Sequence, residues 1–462
     1  MERMLLVSAD GHWGAPVEHY LDYIEKAYLD DLRGLVALDE SWRSTSLSQR
    51  RFSEETLDLI DGDRTVRSSG HEGAWDLGRR LAELDREGVA GEIIISGHQD
   101  AILPFFAQTC DPCPPAHRAA GVRAYHRHLA DAMIDAGGRM SAVAEPGPCT
   151  DMDETVAELR WAAAHGFVGV SPPGNIADPA LPPLYDTYYD PFWAACDELG
   201  LNLTIHAGYG FPQGMASGMG AMSAMAGALP IEDMLSMSTL SGPDIGEMRI
   251  DEFPRDHGFR TALTQPRRIL WQLMLAGVLD RHPTLQLVFT EVRADWVPDT
   301  LAVLDAHFAD GHVRLKKAPR EYWERHVWIA PSSTRQGEVA MRHEIGVDRM
   351  MFGTDYPHPE GTWPNTQQWI RHAFTGVPEE EARWMLGENT IRCYGLDRDV
   401  LAAVADRIGP KPADLLGGEA VDDRLLQQFH HRAGYLRPLE HVDPDYTVEM
   451  ITEDEAGVAA LR

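Results

Sequence analysis

No stretch of this chain stays apolar long enough to cross a bilayer as a helix, which takes about 20 residues, so a helical membrane protein is excluded. Cysteine is scarce and odd in number, five in 462 residues, which rules out a disulfide-stapled small secreted domain. Cys110 and Cys113 make one C-x-x-C in "QTCDPCPP", but no second pair completes a zinc knuckle, so a Pro-braced loop is expected there. Basic residues are outnumbered, 41 Lys and Arg against 72 Asp and Glu, for a formal charge of −31. That balance argues against a nucleic-acid partner, which needs concentrated positive charge, and in favour of solubility. The apolar stretch after "MER" runs only from Met4 to Ser8, too short for a signal peptide, and the cytoplasm is the expected compartment.

What the chain does contain is an alternation of short β-rich runs and amphipathic helical stretches, the pattern of a parallel sheet built from βα units. Eight runs stand out: 4–10, 91–97, 140–146, 166–172, 201–207, 285–291, 326–332 and 349–355. Helices are predicted over 153–166, 190–200, 266–283 and 293–310, several of them stopped by Gly or Pro. Eight strands, each followed by helical material, predict a distorted (β/α)₈ TIM barrel, whose chemistry sits at the C-terminal mouth of the strands. Two segments fall outside the repeat. Residues 207–265 are far longer than an ordinary βα loop and carry Met215, Met219, Met222 and Met225 at helical spacing. They are expected to form a helix packed on the barrel or a Met-lined wall over the mouth, with Gly208, Gly210 and Gly214 as hinges. The tail from 397 onward is predicted to be a helical C-terminal extension, with "PKPADLLGGEA" as a linker-like break and "DRLLQQFHHRAGYL" as a helix.

Unusual residues collect at the strand ends. Asp10 and His12 close the first run, two apart and so on one side of a strand, with Gly11 between them. His98 follows the second run, His206 ends the fifth, Glu291 the sixth and Asp355 the eighth. A histidine closing a buried strand needs a partner, and a buried carboxylate needs one more urgently. One divalent cation would satisfy Asp10, His12, His206 and Asp355 together. Two imidazoles and two carboxylates point first to Zn²⁺, with Mn²⁺, Co²⁺ or Fe²⁺ also compatible. Glu291 either completes that ligand set or handles a substrate proton. His98 either meets substrate or an oxyanion, or is a plain loop histidine.

The stretches "SADGHWGAP", "PPLYDTYYDPFWAACDELGLNLTIHAG", "RRILWQLMLAGVLDRHPTLQLVFTEVRADWVPDTL", "FGTDYPHPEGTWPN" and "ENTIRCYGL" give the chain a further signature. In content and order they resemble the amidohydrolase superfamily, in the branch of aminocarboxymuconate semialdehyde decarboxylase and the resorcylate decarboxylases. The resemblance implies a metal-bearing barrel over 1–396 with its long insertion at about 207–265, and an extension over 397–462. It implies Asp10 and His12 as the first-strand metal pair, His206 as the fifth-strand ligand, and Asp355 as the aspartate that binds metal and handles the proton. Glu291 stands where many relatives have histidine, and "GVSPPG" offers no lysine to bridge two metals, which implies a single metal.

The reaction expected first is metal-dependent hydrolysis of an amide or related C–N bond, by activated water with Asp355 as proton shuttle. A small molecule or modified peptide is the expected substrate, the latter by likeness to the amidohydrolase of bottromycin maturation. The alternative is non-oxidative decarboxylation of an aromatic or unsaturated acid. A catalytically inert binding barrel is the third possibility, opposed by the four potential ligands at strand ends. Trp-rich segments expected on the surface, with the Met stripe, lead to an expected homodimer.

Overall fold

The computed structural model describes residues 3–45, 52–97, 102–107, 110–213, 258–432 and 444–461. The strands are β1 (Leu6–Trp13), β2 (Val89–Ser96), β3 (Met140–Ala144), β4 (Phe167–Val170), β5 (Ile176–Ala177), β6 (Asn202–His206), β7 (Phe211–Pro212), β8 (Leu287–Thr290) and β9 (Val327–Ala330). Seven of them form one parallel sheet in the order β1-β2-β3-β4-β6-β8-β9. The order follows the chain because helical crossovers, such as Leu77–Glu87, Pro115–Asp135 and Met152–Ala164, return each strand to the same edge. Among the described residues no helix is long and apolar enough to cross a membrane.

The eighth predicted run differs from expectation. Residues 349–355 form no regular strand, yet they lie between the two edges of the sheet and touch both. Met350 and Gly353 make parallel bridges to Ile329 and Ser332, and Tyr356 bridges to Gly11. Met351 N donates to Ile329 O at 2.8 Å, and Ala9 N donates to Phe352 O at 2.8 Å. The segment thus curls the sheet into a TIM-barrel-like closure with irregular pairing at its seam. Glycine at 353 is required by the tightness of that seam, because a Cβ there would lie 2.8 Å from the Asp10 Cβ and the Ser332 Oγ.

Strand alternation divides the apolar residues between two layers. In β2, Ile93 and Ile95 join Ala9, Val143, Val288, Trp328, Ala330, Met351 and Tyr394 in a small cluster within the curl. Ile94 faces the other way, into the large cluster between sheet and helices. Trp13, Trp193, Trp271, Trp296 and Trp323 are fully buried and Trp328, Trp363 and Trp369 nearly so, so eight of the twelve tryptophans serve the interior rather than the expected surface. Trp42, Trp75 and Trp161 are half-buried, and Trp384 is 36% exposed.

Three further expectations change. The helix expected from 266 begins at Gly258 and carries Pro266 within it. The supposed linker break holds the short helix Pro412–Leu416, and the helix after it runs Asp423–Arg432. A two-stranded sheet of β5 and β7, not foreseen, ties the root of the long insertion to the loop after β4. The Met stripe lies outside the described residues. The tail packs on the barrel: Leu401, Val404 and Ala405 form a cluster with Leu5, Val7 and Ala90. Its last helix, Pro444–Ala460, is held through Asp454, which accepts from Arg268, Trp271 Nε1 (2.7 Å) and Gln272 Nε2 (2.9 Å).

A buried ion pair fixes the end of β1. Arg80, fully buried on the helix Leu77–Glu87, donates to both carboxylate oxygens of Glu92, with Nη2 at 2.9 Å, and to His12 O at 2.8 Å and Gly73 O at 2.9 Å. Gly11 leaves the space for this pair, since a Cβ would sit 2.7 Å from Glu92 Oε2. Removing one partner of such a pair leaves an uncompensated buried charge. Arg80→Leu is therefore expected to destabilise the fold by about 3–5 kcal/mol, most of it recovered in Arg80→Leu/Glu92→Leu. Urea unfolding measures both; a loss below about 1 kcal/mol in the single variant would remove the pair from its structural role.

Candidate active site

The strand ends deliver their polar residues to one place. Asp10 and His12 come from β1, His206 closes β6, Glu291 follows β8, and Asp355 lies in the seam segment. One ligand atom from each of Asp10, His12, His206 and Glu291 lies within 4.8 Å of the others. Asp355 groups in the same way with His12 and His358, and again with Glu291 and Glu360. The expected residues are therefore brought together, apart from His98, which lies outside the described residues.

Individual distances show how tightly. His206 Nε2 is 2.9 Å from Glu291 Oε2 and 3.7 Å from Asp10 Oδ1. His12 Nε2 is 3.4 Å from Asp10 Oδ1 and 3.2 Å from Asp355 Oδ1. His358 Nδ1 is 2.7 Å from Asp355 Oδ1, and its ring stacks on His12 at 4.0 Å between centroids. The other face of Asp10 is held by Ser332 Oγ, which donates to Oδ2.

Backbone geometry aims these groups. Glu291 and Asp355 both have φ of 59°, in the left-handed region that side chains with a Cβ rarely occupy. Such conformations persist where surrounding structure enforces them, and they concentrate at functional sites. At Asp355 the enforcement is visible: its N–H donates to Asp10 O at 3.0 Å, and His358 N donates to Asp355 O at 2.8 Å.

The chemistry of the donors fits a cation. His206 Nδ1 lies 2.9 Å from Ala207 O, an acceptor only, so Nδ1 is the donor and the lone pair of the neutral ring sits on Nε2, facing the cluster. Among the described residues, Asp10 Oδ1, His206 Nε2 and both oxygens of Asp355 are buried and make no contact of hydrogen-bond geometry, although imidazoles stand close by. Buried polar atoms left this way are costly unless an ion takes their lone pairs.

Electrostatics points in the same direction. Burial, then the charges of Glu291 and Asp10, push the Asp355 carboxyl well above the usual range. Burial disfavours charge on His206, yet Glu291 and Asp10 overcome it and hold the imidazole well above its ordinary value. Glu360 is pushed up to about 8, by burial first and by Asp355 and Glu291 against the opposing effect of His358. All three shifts express an excess of negative charge out of reach of water.

Glu360 is the site residue that the sequence did not reveal; "PEGTWPN" reads as a shaped turn. It is 1% exposed, and its carbonyl accepts from Ser333 Oγ at 3.0 Å. Its spacing from Asp355 and His358 in D-x-x-H-x-E was the available signal.

Comparison with known proteins agrees with this architecture. Among solved structures, the chain resembles 5-carboxyvanillate decarboxylase from Sphingomonas paucimobilis at TM-score 0.54 and 18% identity, over 85% of this chain and 100% of that one. It resembles a dihydroxybenzoic acid decarboxylase from Polaromonas sp. JS666, solved with manganese and 2-nitroresorcinol, at TM-score 0.55 and 17% identity, over 86% and 98% of the two chains. An amidohydrolase from Mycobacterium avium subsp. paratuberculosis K-10 gives TM-score 0.54 and 17% identity, over 85% and 99%. At these identities the likeness is one of fold. No curated protein sequence gave a significant match. The family model described as amidohydrolase matches residues 114–396, well over half of the chain, and includes His206, Glu291 and Asp355. The protein therefore belongs to the amidohydrolase family.

Proposed function

We propose that this protein is a metal-dependent, non-oxidative decarboxylase of an aromatic or unsaturated carboxylic acid. The observation that carries the proposal is Asp355: a fully buried carboxyl group, flanked by His12 and His358, whose affinity for a proton is raised by burial and by the neighbouring acids. A group held that way suits proton donation to carbon. The fold is shared with decarboxylases of hydroxylated benzoic acids, two of which were solved with manganese.

Asp10, His12, His206 and Glu291 would hold one divalent cation, with Asp355 at its edge. Such an ion supplies positive charge that anchors an acid substrate and offsets the surrounding carboxylates. Two carboxylates among the four donors, with a third acid close by, and the manganese found in proteins of the same fold make manganese the first ion to test, although ligand type alone placed zinc ahead. Asp355 delivers its proton to the carbon bearing the substrate carboxylate. The carbon–carbon bond then breaks, its electron pair stays with that carbon, and carbon dioxide leaves. His358, 2.7 Å from Asp355 Oδ1, is placed to return a proton to the emptied carboxylate. Ser332 steadies Asp10 throughout.

Hydrolysis of an amide or related C–N bond is the second reading, and Glu291 is the observation that favours it. A carboxylate 2.9 Å from His206 is positioned to take a proton from water. The two reactions separate by product. Decarboxylation releases carbon dioxide and, in D₂O, places deuterium on the vacated carbon; hydrolysis places solvent ¹⁸O in the acid product.

With Mn²⁺-loaded protein and a panel of hydroxybenzoates, amides and lactones, Asp355→Asn lowers turnover of the responsive substrate by about 10²–10⁴-fold, the range for a lost general acid. Full turnover in that variant, or ¹⁸O uptake without carbon dioxide, would refute the proposal. Elemental analysis should find close to one divalent ion per chain, and chelation should lower the thermal midpoint, which added Mn²⁺ then restores. His206→Ala should weaken Mn²⁺ binding by more than about tenfold.

A further inference from the structure

The segment that carries Asp355, His358 and Glu360 is tied to the barrel at its near end by the bonds already described. Across it, Thr362 N donates to Thr354 O at 2.9 Å, and Thr354 is the neighbour of Asp355. At the far end the tie comes from outside the barrel. Arg432, the last residue of the helix Asp423–Arg432 in the C-terminal extension, is fully buried. Its Nη1 donates to Trp363 O at 3.1 Å and its Nη2 to Thr362 O at 3.2 Å. Its guanidinium also lies over the Phe429 ring, 5.2 Å from the centroid.

Burying a guanidinium costs several kcal/mol unless geometry compensates. A helix needing only to dock would be served by apolar side chains, and Leu425 and Phe429 already bury this one. What Arg432 adds is direction. Two N–H groups of one rigid plane grip two consecutive carbonyls, which fixes both the position and the tilt of the peptide between them, as a single ammonium cannot.

We propose that Arg432 is a positioning residue of the active site: through Thr362 and Trp363 it sets the placement of the loop bearing Asp355, His358 and Glu360. The helical extension is thereby part of the site's architecture rather than a separate appendage. The proposal rests on those residues forming the site, as argued above, but its test does not require a substrate.

Full-length wild type, Arg432→Met, Arg432→Lys and Leu425→Ala are compared by hydrogen exchange of peptides covering 352–366, with Mn²⁺ affinity measured alongside. Leu425→Ala loosens the same helix without touching the two carbonyls. Arg432→Met is expected to speed exchange in 352–366 by about tenfold, the loss of one to two hydrogen bonds, and to weaken Mn²⁺ binding. Arg432→Lys should fall between it and wild type, and Leu425→Ala should leave 352–366 close to wild type. Equal exchange in 352–366 for Arg432→Met and Leu425→Ala, or no change in either, overturns the proposal. If Arg432→Met does not fold, the comparison of Arg432→Lys with Leu425→Ala decides by the same criterion. A wild type that takes up no Mn²⁺ would defeat the metal site and leave the exchange result to judge Arg432.

Discussion

Four carboxyl groups meet where the sheet closes, in a space from which water is nearly excluded, and their mutual repulsion is the constraint around which the molecule is arranged. Asp10, Glu291, Asp355 and Glu360 are each 2% exposed or less. At such burial, like charges a few ångströms apart interact far more strongly than they would in water. Each is gripped from behind: Asp10 by Ser332, Asp355 and Glu291 through their own backbone N–H groups, which donate to Asp10 O and Ala330 O, and Glu360 through Ser333. Their partners toward the centre are imidazoles, which can give up a lone pair to an ion without leaving a charge behind.

The placement of arginine follows from the same constraint. Arg80 is spent on Glu92, and Arg293 faces Glu338 at 3.2 Å. Arg432 reaches carbonyl oxygens rather than a site carboxylate. Arg80 and Arg432 fix backbone behind the cluster, and Arg293 faces a carboxylate outside it, so none neutralises the site acids themselves. A guanidinium set directly against Asp355 would lower the carboxyl's proton affinity and occupy the lone pairs that an ion needs. Distance therefore preserves both functions.

How much of this was legible in the sequence depended on contrast. Asp10, His12, His206 and Asp355 stood out because each interrupts an apolar run at its end, where a polar group has no bland explanation. The parallel alternation was equally plain, and seven of the eight runs became strands of one sheet. The eighth pairs through isolated bridges at the seam, with Asp355 in the left-handed region at its end. Glu360 was hidden among Pro and Gly, whose local meaning is a turn, and the turn is what delivers its carboxyl group. Arg80 and Arg432 were invisible for another reason. On an amphipathic helix an arginine reads as a solvated face, and only tertiary packing, over 68 residues for Arg80 and His12, shows otherwise.

Glu291 is the residue that most separates the two candidate reactions, and charge counting favours decarboxylation despite it. Asp10 and Glu291, with the imidazoles of His12 and His206, would balance one divalent ion. An incoming carboxylate then meets a site whose remaining acids are Asp355 and Glu360. Burial is the largest cause of the raised proton affinity of both, Asp355 well above the usual range and Glu360 to about 8, and a cation on Asp10 and Glu291 would leave that cause in place. A protonated carboxyl does not repel an anion, and in the proposed decarboxylation Asp355 would carry the proton that must replace carbon dioxide. Hydrolysis makes the opposite demand, since a base must be ionised before it can take a proton from water. The burial that raises the proton affinity of Asp355 disfavours the ionised form a base needs and favours the protonated form a general acid needs.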